Sequence, residues 1–79
     1  MRKIQIKYFA VLRDHAGKAS EVVESSSRTT ADLYNELQQR YQFPETSVMK
    51  VAVNDEFRNW DYELGEGDLV VFIPPVAGG

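Results

Sequence analysis

Six residues at the end of this 79-residue sequence, Pro74-Pro75-Val76-Ala77-Gly78-Gly79, combine two mechanical properties that could put chemistry at Gly79. Prolines hold φ at about −65° and favour an extended exit from whatever element precedes them. Glycine has no Cβ, so the last two residues can thread a narrow channel where any side chain would clash. Six extended residues at about 3.3 Å each span roughly 20 Å, enough to carry a terminal carboxylate into the active site of another protein.

A free carboxylate is a poor electrophile, and nothing else in the sequence activates it. With no cysteine there is no thiol nucleophile, disulfide or thiolate metal site. His15 is the only histidine and reads as a solvated residue of a polar loop. Glu63, Glu66 and Asp68 straddle a glycine-rich turn at spacings wrong for calcium, and Gly65-Glu66-Gly67 is too short for a nucleotide fingerprint. A convergent acid, base or metal set is missing, so the chain is not expected to be an enzyme on its own, nor to bind a cofactor or metal. A partner would have to convert the Gly79 carboxylate to an acyl-adenylate, after which sulfur from a donor could displace the adenylate. The resulting thiocarboxylate is a soft nucleophile, anionic at neutral pH, and needs no cysteine.

The elements that must position this tail can be read from local patterns. Ile4, Ile6 and Tyr8 alternate with polar residues in a half-buried strand until Phe9 breaks the pattern. Residues 12 to 20 read as a polar loop, and Ser20 to Glu24, with Val22 and Val23, as a second strand antiparallel to the first. Thr29 is placed to cap a helix running to about Gln42, with Asp32 near its positive end and Leu33, Leu37 and Tyr41 as its buried stripe. Asn35, Glu36, Gln38, Gln39 and Arg40 then face solvent, and Pro44 stops the helix. Met49, Val51 and Val53 form a third strand, Asn54-Asp55 a turn, and Glu56 to Leu64 an irregular aromatic stretch that allows a short extra strand.

After the turn at Gly65 to Gly67, Asp68 to Ile73 reads Leu-Val-Val-Phe-Ile without a polar break, as a central strand does. The order of elements predicts an α+β, β-grasp fold: one main helix across one face of a mixed sheet, first and last strands central and parallel. The domain covers residues 1–73, and 74–79 form a flexible extended C-terminal tail. In the last strand Val70 and Phe72 point to one face and Leu69, Val71 and Ile73 to the other. One helix covers one face only, so the second row, with Phe9 and Phe57, is expected to dock on partners. Ordinary core packing is the alternative, and the loop around Trp60 could cover part of the row. Trp60 and Tyr62 themselves read as local core.

Composition narrows the function classes. A chain this short holds one domain with a modest core. Content of 43% apolar and 27% charged residues is that of a folded protein, and a net charge of −3 without a basic run argues against nucleic acid. No apolar run approaches the roughly 20 residues of a membrane span, no signal segment opens the chain, and the expected location is the cytoplasm.

The ending Phe72-Ile73-Pro74-Pro75-Val76-Ala77-Gly78-Gly79 resembles that of molybdopterin synthase small subunits. Lys7-Tyr8-Phe9-Ala10 followed by Leu12-Arg13-Asp14, then Ala52-Val53-Asn54 and Gly65-Glu66-Gly67-Asp68, extend the resemblance along the chain. It implies a ubiquitin-like β-grasp fold and adenylation of Gly79 by an ATP-dependent activating enzyme. It further implies sulfur from a donor enzyme and insertion of Pro74 to Gly79 into the large synthase subunit, with two copies of each subunit in the complex. Two sulfurs would then be added to a pterin precursor to give the molybdopterin dithiolene.

Other readings remain compatible with the residues. A sulfur carrier for thiamine or tRNA thiolation uses the same end group, although the Pro-Pro-Val-Ala-Gly-Gly ending argues against thiamine. A ubiquitin-like modifier would pass the activated glycine to a lysine amine, and a plain interaction domain would leave it unmodified.

Overall fold

The chain was analysed as a computed structural model, which describes residues 1–43 and 49–73. Alternation of Ile4, Ile6 and Tyr8 with Lys3, Gln5 and Lys7 makes Arg2–Tyr8 the strand β1, the first set buried and the second exposed. The chain continues as α1 (Val11–Ala16), β2 (Ser20–Ser25), α2 (Thr30–Tyr41), β3 (Lys50–Val53), β4 (Glu56–Arg58) and β5 (Leu69–Ile73). The five strands form one sheet in the order β2-β1-β5-β3-β4, with β1 parallel to the central β5 and the other pairs antiparallel. This is the mixed β-grasp topology with one main helix, α2, that the order of elements predicted.

Helix α2 begins where Thr29 Oγ1 accepts the Asp32 N–H at 3.2 Å, a cap that contributes about 1 kcal/mol. Backbone carbonyls of the 59–64 stretch take up two further amides, Thr30 donating to Tyr62 and Ala31 to Trp60. The aromatic loop is thereby fastened to the helix start. The described stop of the helix is Gln42, in the left-handed region at φ 59°, and the Gln42 and Phe43 amides both donate to the Gln38 carbonyl. Pro44, the stop expected from sequence, lies outside the described residues.

The buried side of α2 is Thr30, Leu33, Tyr34 and Leu37, and Tyr41 is only partly buried. Glu36, expected to be fully solvated, is half-buried because it accepts the hydroxyls of Ser25 at 2.7 Å and Ser27 at 3.0 Å.

Residues 11–16 correct the sequence reading. The stretch expected to be a polar loop is helix α1, with Leu12 and Ala16 buried one turn apart and His15 on its exposed side. A helix of six residues shows one i, i+4 apolar pair, too little for periodicity to register. Gly17 ends it at φ 74°, where a Cβ would be strained, its amide donating to the Arg13 carbonyl at 2.9 Å.

The β3–β4 turn places Asn54 and Asp55 at φ 53° and 70°, the pattern of two-residue hairpin turns whose twist matches the strands. No helix among the described residues is long and apolar enough to cross a membrane.

Candidate functional site

Strand β5 has two faces with opposite fates. Val70 and Phe72 are fully buried beneath α2, where the Phe72 ring meets Tyr34 edge-on at 5.0 Å and lies parallel to Trp60 at 6.1 Å. Trp60 therefore packs on the helix side, as local core, and leaves the other face open. Tyr62, with Arg58 over its ring at 4.9 Å, is likewise partly buried against the core.

On the open face Leu69, Val71 and Ile73 are half-buried. Lys7 of β1 and Ala52 of β3 flank Val71 from opposite sides, and Lys50 lies opposite Ile73. Phe57 pairs with Ala52 and is 70% exposed, while Phe9, just past the end of β1, is 49% exposed. With the exception of Lys50, these side chains and Asp55 line a groove of about 310 Å³. The structure thus gathers Phe9, Phe57, Leu69, Val71 and Ile73 into one apolar concavity. Sequence reasoning missed Lys7 and Ala52 as walls of it; their parity with Phe9 and with Lys50 along their strands was the available signal. Pro74, Pro75, Val76, Ala77, Gly78 and Gly79, which continue from Ile73, lie outside the described residues.

Behind Phe9 the strand is anchored by a polar cluster. The hydroxyls of Tyr8 and Tyr41 donate to the same Glu21 oxygen, Oε2, at 2.5 and 2.7 Å, and Lys18 Nζ lies 3.5 Å from Oε1. Burial alone would raise the Glu21 carboxyl, but the two phenol hydrogen bonds and Lys18 outweigh it and hold the group below its ordinary range. Burial first, then the bond to Glu21, pushes the Tyr8 phenol far above its usual value. On the other side of Phe9, Ala10 adopts φ 52°, ψ −126°, a region that L side chains rarely occupy.

The turn before β5 is closed by Asp68, which accepts the Gly65 amide at 2.7 Å and an Asn54 side-chain N–H at 3.0 Å. Glu66 accepts the Lys3 amide, and Glu63 pairs with Arg28. These acids are structural ties, and among the described residues no group of His, Cys, Asp and Glu could hold a metal ion. A larger open concavity of about 800 Å³ beside β4 includes Trp60, Lys50, Arg58 and Asp61, but Arg58 is committed to Glu56 and Tyr62. It offers no nucleophile or paired acid and base.

Comparison with known proteins adds to this geometry. The profile of the ThiS family matches residues 6–79. The molybdopterin synthase sulfur carrier subunit of Mycobacterium tuberculosis is 34% identical over 83 aligned residues, covering 100% of both chains. A Pyrococcus furiosus protein described as molybdopterin converting factor, subunit 1, superimposes with a TM-score of 0.80 at 32% identity, over 96% of this chain and 100% of that one. The complex of subunits 1 and 2 of the molybdopterin-converting factor of Helicobacter pylori holds a chain that matches with a TM-score of 0.67 at 23% identity. That match covers 98% of this chain and 99% of the other, a likeness of fold.

Proposed function

The chain belongs to the ThiS family, and we propose that it is the sulfur-carrier subunit of a molybdopterin synthase. The observation that carries this reading is that the family match runs unbroken from β1 through the central strand β5 to Gly79, so the Gly-Gly end falls inside the matched region. The names borne by the Mycobacterium tuberculosis and Pyrococcus furiosus relatives support it.

In this reading residues 1–73 are a rigid handle and 74–79 the reactive arm. The Gly79 carboxylate attacks the α-phosphorus of ATP on an activating enzyme, pyrophosphate leaves, and an acyl-adenylate forms. A sulfur donor enzyme delivers a sulfur nucleophile to the acyl carbon, AMP departs, and a thiocarboxylate remains. Inserted into the large subunit, that sulfur attacks an electrophilic carbon of the pterin precursor and displaces an oxygen substituent from it, and water then cleaves the acyl–sulfur bond to restore the carboxylate. Two such transfers build the dithiolene. Gly78 serves as the slim neighbour that lets Gly79 reach the reacting atoms. This chain's own contribution is reach and docking, with no cofactor of its own and ATP consumed by the partner.

Phe9, Phe57, Leu69, Val71 and Ile73 are the docking residues of this reading. Leu69, Val71 and Ile73 lie on the strand that leads into the arm, Phe9 just past its neighbour β1 and Phe57 on β4 beyond its other neighbour β3, so a protein receiving Gly79 would cover this face of the sheet. With two copies of each subunit the synthase would be a heterotetramer.

Intact mass spectrometry after incubation with the activating enzyme, ATP and a sulfur donor tests the proposal. A mass gain equal to replacing one oxygen by sulfur is expected, retained after proteolysis on the C-terminal peptide. Ladders of larger conjugates would instead identify a protein modifier, and an unchanged mass would refute the carrier role.

A further inference from the structure

We infer that Lys7 and Lys50 are a cationic recognition pair for the protein that receives the tail, one whose contact surface is apolar at its centre and carries carboxylates where the tail enters. The inference rests on the sulfur-carrier reading and specifies its partner. The chain as a whole is acidic, with 12 Asp and Glu against 9 Lys and Arg. The open face reverses that balance at one end.

Lys7 lies opposite Val71 on one side of β5, and Lys50 lies opposite Ile73 on the other, so the pair brackets the last residues before Pro74. Both side chains are exposed, and neither forms an ion pair with a described residue, a property they share with Arg2, Lys3 and Arg13. Among the described residues, Asp61 shares the concavity beside β4 with Lys50, and the other acids of this face stand farther off. Glu24 is on the edge strand β2 opposite Lys3, and Asp55 is in the β3–β4 turn.

Lys7 lines the groove opposite Val71, Asp55 lines it from the β3–β4 turn, and Lys50 stands beside it opposite Ile73, the last residue of β5. A partner seated on Val71 and Ile73 necessarily crowds both lysines out of bulk water, and ammonium groups so placed must be met by carboxylates or their desolvation opposes binding. Opposed charges at an interface rim act mainly on the association rate and on register. Register matters here because β5, which forms the floor of the groove, ends at Ile73, the residue before the arm.

The test is stopped-flow association of the full-length chain with the purified large synthase subunit of the same organism, at low and high salt. Lys7→Glu combined with Lys50→Glu is expected to lower the association rate about tenfold or more at low salt and to flatten its salt dependence. Lys3→Glu, an equal charge change per site remote from the exit, is expected to shift the rate less than about threefold. Circular dichroism confirms that each variant is folded. Association of the double variant at the wild-type rate and salt slope overturns the inference while leaving the carrier reading intact. Failure of the wild-type chain to bind the large subunit at all overturns both. Self-association through the same face, read by sedimentation and abolished by Phe57→Asp, would assign the surface to a second copy and also overturn the inference.

Discussion

The Tyr8 hydroxyl on β1 donates to Glu21 Oε2 on β2 at 2.5 Å, and Tyr41 at the end of α2 donates to that same oxygen at 2.7 Å. One carboxylate thus ties two strands and the helix together directly behind Phe9, so the open face and the helix end share an anchor.

Glu21→Ala removes the acceptor for two phenols, and hydrogen bonds to a charged group contribute about 1.5–3 kcal/mol. For a domain of this size a loss of about 2 kcal/mol lowers Tm by roughly 8–16 °C, which thermal denaturation followed by circular dichroism will show.

The same cluster makes stability depend on pH at both ends. Glu21 titrates below its ordinary value of 4.5 in the folded chain, so its contribution is present above that value and is lost as pH falls through the lower, folded one. Tyr8 titrates above its ordinary 10.0, so its contribution is complete below pH 10.0 and is lost as pH rises beyond it. Urea midpoints against pH should therefore fall at both extremes, and Glu21→Gln should flatten the acid limb.

Ala10 holds φ 52°, ψ −126°, where a residue other than glycine carries on the order of 1–3 kcal/mol of strain. Ala10→Gly relieves that strain against an unfolded-state entropy loss of under about 1 kcal/mol, for a net stabilisation of about 1 kcal/mol. A rise in Tm of roughly 4–8 °C is expected.

Phe57 is 70% exposed on the groove rim, and Phe57→Asp should leave Tm within a few degrees while abolishing detectable binding to the large subunit in calorimetry. Ile73→Asp, at a half-buried position, should lose binding with a modest fall in Tm. Unfolding of Phe57→Asp would return that residue to the core and remove it from the docking surface.

Deleting Gly79 should leave the Tm unchanged, because no described strand or helix extends beyond Ile73. Sulfur incorporation, read as the oxygen-to-sulfur mass gain, should vanish.

Much of the framework was legible because its causes are local. Alternation in 3–8, the Thr29 cap, the Asn54-Asp55 turn and the unbroken apolar run 69–73 each declare an element within a few residues. Helix α1 escaped because its single turn buries only Leu12 and Ala16, and Glu36 was read as solvated because its partners Ser25 and Ser27 lie about ten residues away. Glu21 gave no signal at all: its partners are 13 and 20 residues distant in the chain, and no local pattern pairs a strand glutamate with two tyrosines.

By itself the sequence determined the strands and the main helix, their order, the parity of each strand and the slim Gly78-Gly79 end, all of which follow from periodicity, capping and the stereochemistry of single residues. Only the tertiary structure decided that Phe9, Phe57, Leu69, Val71 and Ile73 share one groove, that Trp60 closes the opposite face, and that Lys7 and Lys50 bracket the chain's exit. The reason is register: pairing between strands that are far apart in the chain sets which side chains meet, and that alignment is fixed by how the whole sheet packs against α2, a property that no single strand carries.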